Sequence, residues 1–166
     1  LSPSPLFGFG GTAGLIKEGG SGLEASLTLA SGKTGSISAS VTQIGGRYRI
    51  GFMKLGYLAA GGGFRMASGK WFVLNGDASA EYEAGSSLNA VTLDGAVGGQ
   101  MRFGSIIIGA DLLGFSFPIF KLGVKKTVPS EEDYSEDDAK SQQAKFDKVA
   151  AGLSLTLFKA GVGMMF

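Results

Sequence analysis

Apolar and polar residues alternate with a period of two along most of the chain. The pattern is clearest at 91–103, where Leu93 and Val97 share one face while Thr92 and Asp94 share the other. Successive side chains of a β-strand point to opposite faces of the sheet, so this pattern predicts strands with one apolar and one polar face. The chain is therefore expected to be all-β.

Glycine-rich turn signals, among them Gly45-Gly46, 61–63 and 83–87, divide the chain into about eight segments. Ten to twelve shorter strands remain an alternative, because Asn75-Gly76 is a strong hairpin signal and 68–70 could also turn. No run of 18 apolar residues predicts a transmembrane helix, and no pattern indicates a signal peptide, so the chain is expected to start as a mature or trimmed form. The predicted strands span 6–17, 22–31, 35–45, 47–60, 63–83, 87–103, 105–128 and 146–166.

The chain contains no histidine and no cysteine, which removes the common catalytic triads and zinc sites. A net charge of +1 gives no general attraction to nucleic acid. The segment 8–13 fits a dinucleotide fingerprint, but the required strand before it and helix after it are not expected. Asp77 and Glu81 are too far apart on one extended strand to act on one bond. We expect no enzyme activity, catalytic residue, cofactor, metal or nucleic-acid partner.

One acidic segment breaks the alternation. Six of the 14 acidic residues lie within 131–138, so the rest of the chain carries 15 basic against 8 acidic residues. Ser135 and Asp138 fit a capping box, and this predicts a short helix at about 136–147 that Phe146 anchors. Calcium binding by these acids is the weaker interpretation, since the glycine and spacing of an EF-hand are missing. We expect a solvated loop at 129–145.

Alternation alone does not distinguish a soluble barrel with an apolar interior from a membrane barrel with an apolar exterior. The polar face here consists mainly of Ser, Thr and Gly with isolated charges of both signs, which suits a crowded interior better than a water-exposed surface. A soluble, lipocalin-like ligand-binding barrel is the alternative. The charged residues expected to pair across strands inside the barrel lumen are Glu24, Arg49, Asp77, Glu81, Asp94, Arg102 and Asp111.

Aromatic residues lie near the ends of the predicted strands, as they do in the interfacial girdles of membrane barrels. The alternative is that they form the core of a soluble barrel. The residues expected at the membrane interfaces are Tyr48, Tyr57, Trp71, Tyr82 and Phe103.

The chain ends on Phe166 with apolar Val162 and Met164 at alternate positions before it. This ending resembles the terminal strand of small outer-membrane β-barrel proteins of Gram-negative bacteria. The resemblance implies a closed antiparallel transmembrane up-and-down barrel, formed by 1–166 as one domain, most simply with eight strands. It also implies a bacterial outer-membrane location, insertion by the barrel assembly machinery through these three residues, and an extracellular position for the loop at 129–145.

We expect such a barrel to have a structural or interaction role in contact with membrane lipid. Eight strands leave an interior that side chains can fill, which favours a closed barrel. A porin-like channel for small solutes is the alternative. Small residues on the outer face would let copies of the chain pack closely into a homo-oligomer that encloses lipid. The positions expected on that face are Ala39, Gly76, Ala78, Ala80, Gly95, Gly99, Ala110 and Gly114.

Overall fold

Eight β-strands form a single sheet in the structure, a computed structural model. It describes residues 7–34, 37–52, 55–74, 81–127, 154–156 and 158–166, together with Lys140, Ser141, Ala144 and Phe146. The all-β prediction is confirmed. The strands are β1 (Phe7–Ile16), β2 (Gly22–Thr34), β3 (Ile37–Phe52), β4 (Gly56–Leu74), β5 (Glu81–Phe103), β6 (Ile106–Thr127), β7 (Ser154–Thr156) and β8 (Lys159–Met165).

Hydrogen bonds between neighbouring strands close into a barrel-like ring. The strands β1 to β6 pair consecutively and antiparallel, and β6 then pairs with both β7 and β8. β7 and β8 lie end to end along β6 in one continuous register, so the ring has seven strand positions. β8 closes it by pairing with β1 in parallel, from Gly11 opposite Ala160 to Ile16 opposite Met165. The closing pair thus departs from the predicted all-antiparallel arrangement, because an odd number of positions makes the first and last strands run in the same direction.

The strand total agrees with the prediction, but several strand boundaries do not. The expected turns at Gly45-Gly46, 61–63, 68–70 and 83–87 all lie inside long strands. In contrast, the turn after β1 and the turn at Gly104-Ser105 occur as expected, and both use a glycine with positive φ, Gly20 at 82° and Gly104 at 61°. The Asn75-Gly76 signal lies outside the described residues. Glycine inside a strand is therefore a poor turn signal here, since a Cβ on Gly61 or Gly63 would collide with the partner backbone and one on Gly69 with the Phe146 ring.

The two ends of the ring differ in which elements meet there. The turns at 17–21 and 104–105 and the end of β8 define the turn end. At the opposite end, here termed the far end, β2, β4 and β6 finish and β3 and β5 begin, whereas β7 begins opposite Ser116 in the middle of β6. β4, β5 and β6 are 19, 23 and 22 residues long, well beyond the 9 to 11 that a tilted strand needs to cross a bilayer.

Inward-facing side chains form layers along the ring. Two buried isoleucines, Ile16 and Ile107, lie near the turn end, and charged and polar side chains fill the middle. Near the far end an apolar cluster forms from Ala67, Trp71, Ala84, Leu88 and Phe146, with Val41 packed against it.

Phe146 comes from the segment between β6 and β7 and lies in that apolar cluster. Its ring centroid is 6.1 Å from that of Trp71, and it is 1 % exposed. A Cβ on Gly69 would collide with its ring, so β4 accepts Phe146 only because it carries glycine there. Lys140, Ser141, Ala144 and Phe146 have helical conformation, while the rest of the predicted helix at 136–147 and the acidic run at 131–138 lie outside the described residues.

Within the described residues, no helix is long and apolar enough to span a membrane.

Candidate functional site

A network of charged side chains crosses the interior of the ring at its middle. Arg47 on β3 donates to both carboxylate oxygens of Asp111 on β6, at 2.6 and 3.1 Å, and to Glu24 on β2 at 2.9 Å. Arg49 donates to the other oxygen of Glu24 at 2.7 Å. Both arginines and both carboxylates are more than nine-tenths buried. Because β3 and β6 lie on opposite sides of the ring, the Arg47–Asp111 contact spans the interior directly.

Tyr57 on β4 completes this network. Its hydroxyl donates to Asp111 at 2.6 Å, and its ring lies under the Arg49 guanidinium, 3.8 Å from ring centroid to Cζ. Arg49 also donates to the side-chain amide oxygen (Oε1) of Gln100 on β5. A Cβ on Gly98 would collide with the Tyr57 ring, so glycine at that position makes room for the aromatic side chain. Five strands thus contribute to one interlocked cluster, and each of its ionised groups has an opposite charge as a partner, which offsets the cost of burial.

A second polar group lies between this network and the apolar cluster of the far end. Gln43 donates to Asp94 at 2.8 Å, and its carbonyl oxygen accepts from Ser116 at 3.1 Å and from the Arg65 Nε at 3.3 Å. Arg65 also donates to the backbone oxygen of Ser116 at 3.2 Å. On the β8 side, Lys159 donates to the Thr28 hydroxyl at 2.9 Å. Side chains therefore cross-link the strands through the whole middle of the ring.

The structure brings together four of the seven charged residues expected inside. Glu24, Arg49 and Asp111 meet in the central network, and Asp94 lies in the neighbouring group. Arg102 is instead about half exposed at the turn end, where its guanidinium lies 3.6 Å from Glu18, so its assignment to the interior is wrong. It shares the inward face with its partner Ile107 on β6, but it lies at the open turn end, where solvent reaches its guanidinium. Asp77 and the side chain of Glu81 lie outside the described residues.

The expected interfacial aromatics divide between the two faces. Tyr48 and Phe103 are exposed on the outside, whereas Tyr57 and Trp71 point inward and are 2 % and 1 % exposed. The interfacial prediction is wrong for Tyr57 and Trp71, because position near a strand end does not determine which face a residue occupies. The side chain of Tyr82 lies outside the described residues.

The small residues expected on the outer face are also divided. Gly99 and Ala110 pair with each other on the outside, and Gly95 lies there beneath the ring of Phe115. Ala39 and Gly114 lie on the inward face instead, so the prediction is wrong for these two residues. The other three positions, Gly76, Ala78 and Ala80, lie outside the described residues. A different row of exposed small residues crosses β1 to β4 in register, formed by Ala13, Ala25, Gly46 and Gly62.

The outer face carries large apolar side chains at the level of the charged interior. Leu23 is 67 % and Leu58 54 % exposed, and the terminal residues Val162, Met164 and Phe166 are exposed as well. This surface, here termed the apolar belt, comprises Leu15, Leu23, Leu27, Ile44, Ile50, Leu58, Phe64, Leu93, Val97, Met101, Ile106, Ile108, Phe115, Phe117, Val162 and Met164.

Towards the far end the outer face of β2 to β5 becomes polar, whereas β6 keeps exposed apolar residues such as Phe120 and Leu122. Ser31, Ser40, Ser68, Ser87 and Lys125 lie opposite one another on five successive strands, and the Ser40 and Ser68 hydroxyls are 2.8 Å apart. Two positions further along the strands, Lys33, Ser38 and Lys70 form a second row in register. These eight residues are termed the serine–lysine band.

Arg47, which joins Glu24 to Asp111, was not predicted from the sequence, and neither were Gln43, Arg65, Gln100 and Lys159. A signal for Arg47 is present, since it lies two residues from Arg49 and therefore shares its face. The turn placed at Gly45-Gly46 concealed it by separating the two halves of β3.

Among the residues that the structure describes, no three acidic side chains form a group that could hold a metal ion. Comparisons of the chain with protein-family models, with curated proteins and with solved structures find no match.

Proposed function

We propose that the chain is an integral β-barrel of the bacterial outer membrane with a structural or interaction role. One observation carries the proposal: charged side chains lie inside the ring while large apolar side chains cover its outside at the same level. A soluble barrel has the reverse arrangement, and soluble monomers rarely expose contiguous apolar patches of more than a few hundred Å². In a bilayer the same apolar side chains would face hydrocarbon, and their exposure would then be energetically favourable.

The height of the apolar belt supports the same proposal. On β4 it runs from Leu58 to Phe64 and continues to Met66, and at about 3.3 Å per residue this stretch is roughly 26 Å long. With the usual tilt of about 40°, its height is about 20 Å, which is most of the apolar band of about 25 Å on outer-membrane barrels. The rest of β4, from Ala67 to Leu74, would extend beyond the hydrocarbon into water.

The absence of cysteine allows a direct test of which positions face lipid. Val97→Cys in the belt and Ser87→Cys in the serine–lysine band lie on the outer face of β5, ten residues apart. After spin labelling and reconstitution into vesicles, the label at 97 should collide preferentially with oxygen, which concentrates in lipid, and the label at 87 with a water-soluble nickel complex. Equal water accessibility at both positions, or a monodisperse protein that needs no detergent, would contradict the proposal and favour a soluble ligand-binding barrel.

The filled interior favours a structural role over a porin-like channel. The Arg47–Asp111 contact joins opposite sides of the ring, and the Arg49–Tyr57 stack lies beside it. Solutes would have to break buried ion pairs in order to pass. In planar bilayers we expect no steady conductance steps from the purified protein, and reproducible open-channel steps would support the channel instead.

We also propose, from the resemblance of the last strand, that Val162, Met164 and Phe166 serve barrel assembly. All three are exposed on the outer face of β8 or just beyond it. Phe166→Ser should slow insertion catalysed by the assembly machinery in proteoliposomes, whereas Phe158→Ser, an exposed aromatic before β8, should have little effect. Equal slowing by both substitutions would point to a general loss of apolar surface.

Association of copies of the chain is proposed through the row Ala13, Ala25, Gly46 and Gly62, where small exposed residues are neighbours on four strands. Close approach of smooth surfaces favours packing within membranes, and an oligomer could enclose lipid. Mass measurement in mild detergent should give a multiple of the 17.0 kDa chain, and Gly46→Leu should reduce it to the monomer. A monomeric wild-type particle would exclude the oligomer.

A further inference from the structure

The serine–lysine band surrounds a depression on the outer face of the sheet near the far end. The depression has a volume of about 690 Å³, and Lys33, Lys70 and Lys125 line it together with the serine hydroxyls of both rows. All three lysines are exposed. No carboxylate is among the described residues that line the depression. Its chemistry is that of an anion site, with cationic arms around hydroxyl donors.

A second depression continues from the first towards the apolar belt. It has a volume of about 500 Å³ and shares Ser31 and Ser40 with the serine–lysine band. Its remaining lining includes Phe9, Leu29 and Thr42. Phe9 pairs with Leu29, and Leu29 with Thr42, so this surface lies on three adjacent strands directly next to the band. A cationic and an apolar recess are thus continuous on one face.

We propose that this double recess binds the phosphate-bearing headgroup of an anionic membrane lipid. The phosphate lies over the serine row within reach of the lysines, and the first part of an acyl chain lies along Phe9 and Leu29. This proposal rests on the membrane location proposed above, because it requires lipid beside the apolar belt. The position fits that requirement, since the band lies where the outer face changes from apolar to polar, at the level of lipid headgroups.

The spacing of the lysines agrees with a headgroup ligand. Lys33 and Lys70 lie in one row two strands apart, about 10 Å between Cα atoms, since neighbouring strands are about 4.8 Å apart. Ser38 lies between them in that row, and the Ser40–Ser68 pair lies in the row beside it. A phosphate over this surface meets hydroxyl donors below it and flexible ammonium groups on either side, as Lys side chains bind phosphate.

The test uses two charge-matched double variants of the full chain. Lys33→Gln/Lys125→Gln removes two cations from the recess and keeps Lys70, which has a further contact of its own. Lys17→Gln/Arg102→Gln removes two exposed cations at the turn end. Native mass spectrometry of each detergent-solubilised protein, titrated with phosphatidylglycerol or phosphatidylcholine, gives the affinity for an anionic and for a zwitterionic lipid.

We expect the recess variant to lose roughly tenfold to thirtyfold in phosphatidylglycerol affinity, because each lysine near an anionic lipid contributes about fivefold. The turn-end variant and all phosphatidylcholine affinities should stay unchanged. Glycerol 3-phosphate should bind much more weakly than phosphatidylglycerol, since it lacks the chain that occupies the apolar recess. Equal losses in both variants, no loss in either, or equally tight binding of glycerol 3-phosphate would each overturn the site.

Failure of this site is distinguishable from failure of the membrane proposal. Insertion of each variant into phosphatidylcholine vesicles is measured first, and it does not depend on the recess. If no variant inserts, the membrane proposal fails; if all insert and bind phosphatidylglycerol equally, only the lipid site is wrong.

Discussion

The belt level and the far end of the ring have opposite arrangements of polar and apolar side chains, although the same strands form both. On β4, Arg65 points inward and Phe64 outward within the belt. A few residues further along the strand, Trp71 points inward and Lys70 outward. The inversion occurs without a break in pairing. It shows that continuous strand pairing does not determine which face is polar.

This difference implies that different forces stabilise the two regions. At the far end, Trp71, Phe146 and Leu88 are removed from water as in a soluble protein, and the hydrophobic effect favours folding there. At the belt level the interior gains little from that effect, and the ion pairs among Glu24, Arg47 and Asp111 hold the strands in register. Substitutions of similar size should therefore have different consequences in the two regions.

The largest effect is expected from Arg47→Met in the charged interior. Loss of the guanidinium leaves Asp111 without its bidentate partner and Glu24 with only Arg49, and removing one partner of a buried ion pair typically costs about 3–5 kcal/mol. Denaturant unfolding in vesicles measures the free energy of unfolding. Arg102→Met at the exposed turn end is the control and should cost under about 1 kcal/mol. Similar values for both would mean that water reaches Arg47.

A charge placed on the outer face should distinguish the two regions almost as strongly. Val97→Arg introduces a charge in the middle of the belt on β5 and should destabilise the inserted protein by about 2–4 kcal/mol. Ser87→Arg, on the same face of the same strand in the serine–lysine band, should cost at most about 1 kcal/mol. Both free energies come from unfolding titrations in the same vesicles. If the two substitutions cost the same, the boundary between belt and band does not coincide with the membrane surface.

At the far end the interior should favour apolar over polar side chains, in contrast to the charged interior at the belt level. Leu88→Thr keeps a β-compatible residue but removes apolar contacts and adds a hydroxyl among Ala84, Trp71 and Phe146, at a cost of about 2–3 kcal/mol. The emission of Trp71, the only tryptophan, should shift to the red as the cluster loosens. An unchanged spectrum and unchanged stability would show that the far-end interior is already hydrated.

The alternation at 91–103 was sufficient to predict a strand and the identity of its two faces, because β5 keeps one phase through the belt. The same reasoning fails at 36–42, where Val41 and Ala39 point inward and Ser38 and Ser40 outward. Alternation fixes which residues share a face, but it does not determine whether that face lies inside or outside the ring. A single rule for the whole chain therefore assigns Ala39 and Trp71 to the wrong side.

The charged interior could be predicted in part. Glu24, Arg49 and Asp111 are isolated charges in alternating runs, and this alone indicates buried pairing. Their actual partners could not be identified, because the Arg47–Asp111 contact joins residues 64 positions apart on strands that are not neighbours. Such contacts follow from closure of the ring and from the registers of several strand pairs together, which no local pattern contains.

The smallest expected effect concerns Thr92, on the same inward face of β5 as Leu88 but four residues closer to the charged network. Within the described residues its buried hydroxyl has no hydrogen-bond partner, and neither has the Oδ2 of Asp94 nearby on the strand. Thr92→Val preserves the shape and removes an unsatisfied group, so the free energy of unfolding should stay equal or rise by up to about 1 kcal/mol. Ser116→Ala is the matched control, since its hydroxyl donates to Gln43 at 3.1 Å and its loss should cost about 1 kcal/mol. A clear loss of stability in Thr92→Val would place Thr92 within the polar network, so the boundary between the charged and the apolar interior would lie closer to the far end. A gain in stability would locate that boundary between Thr92 and Asp94.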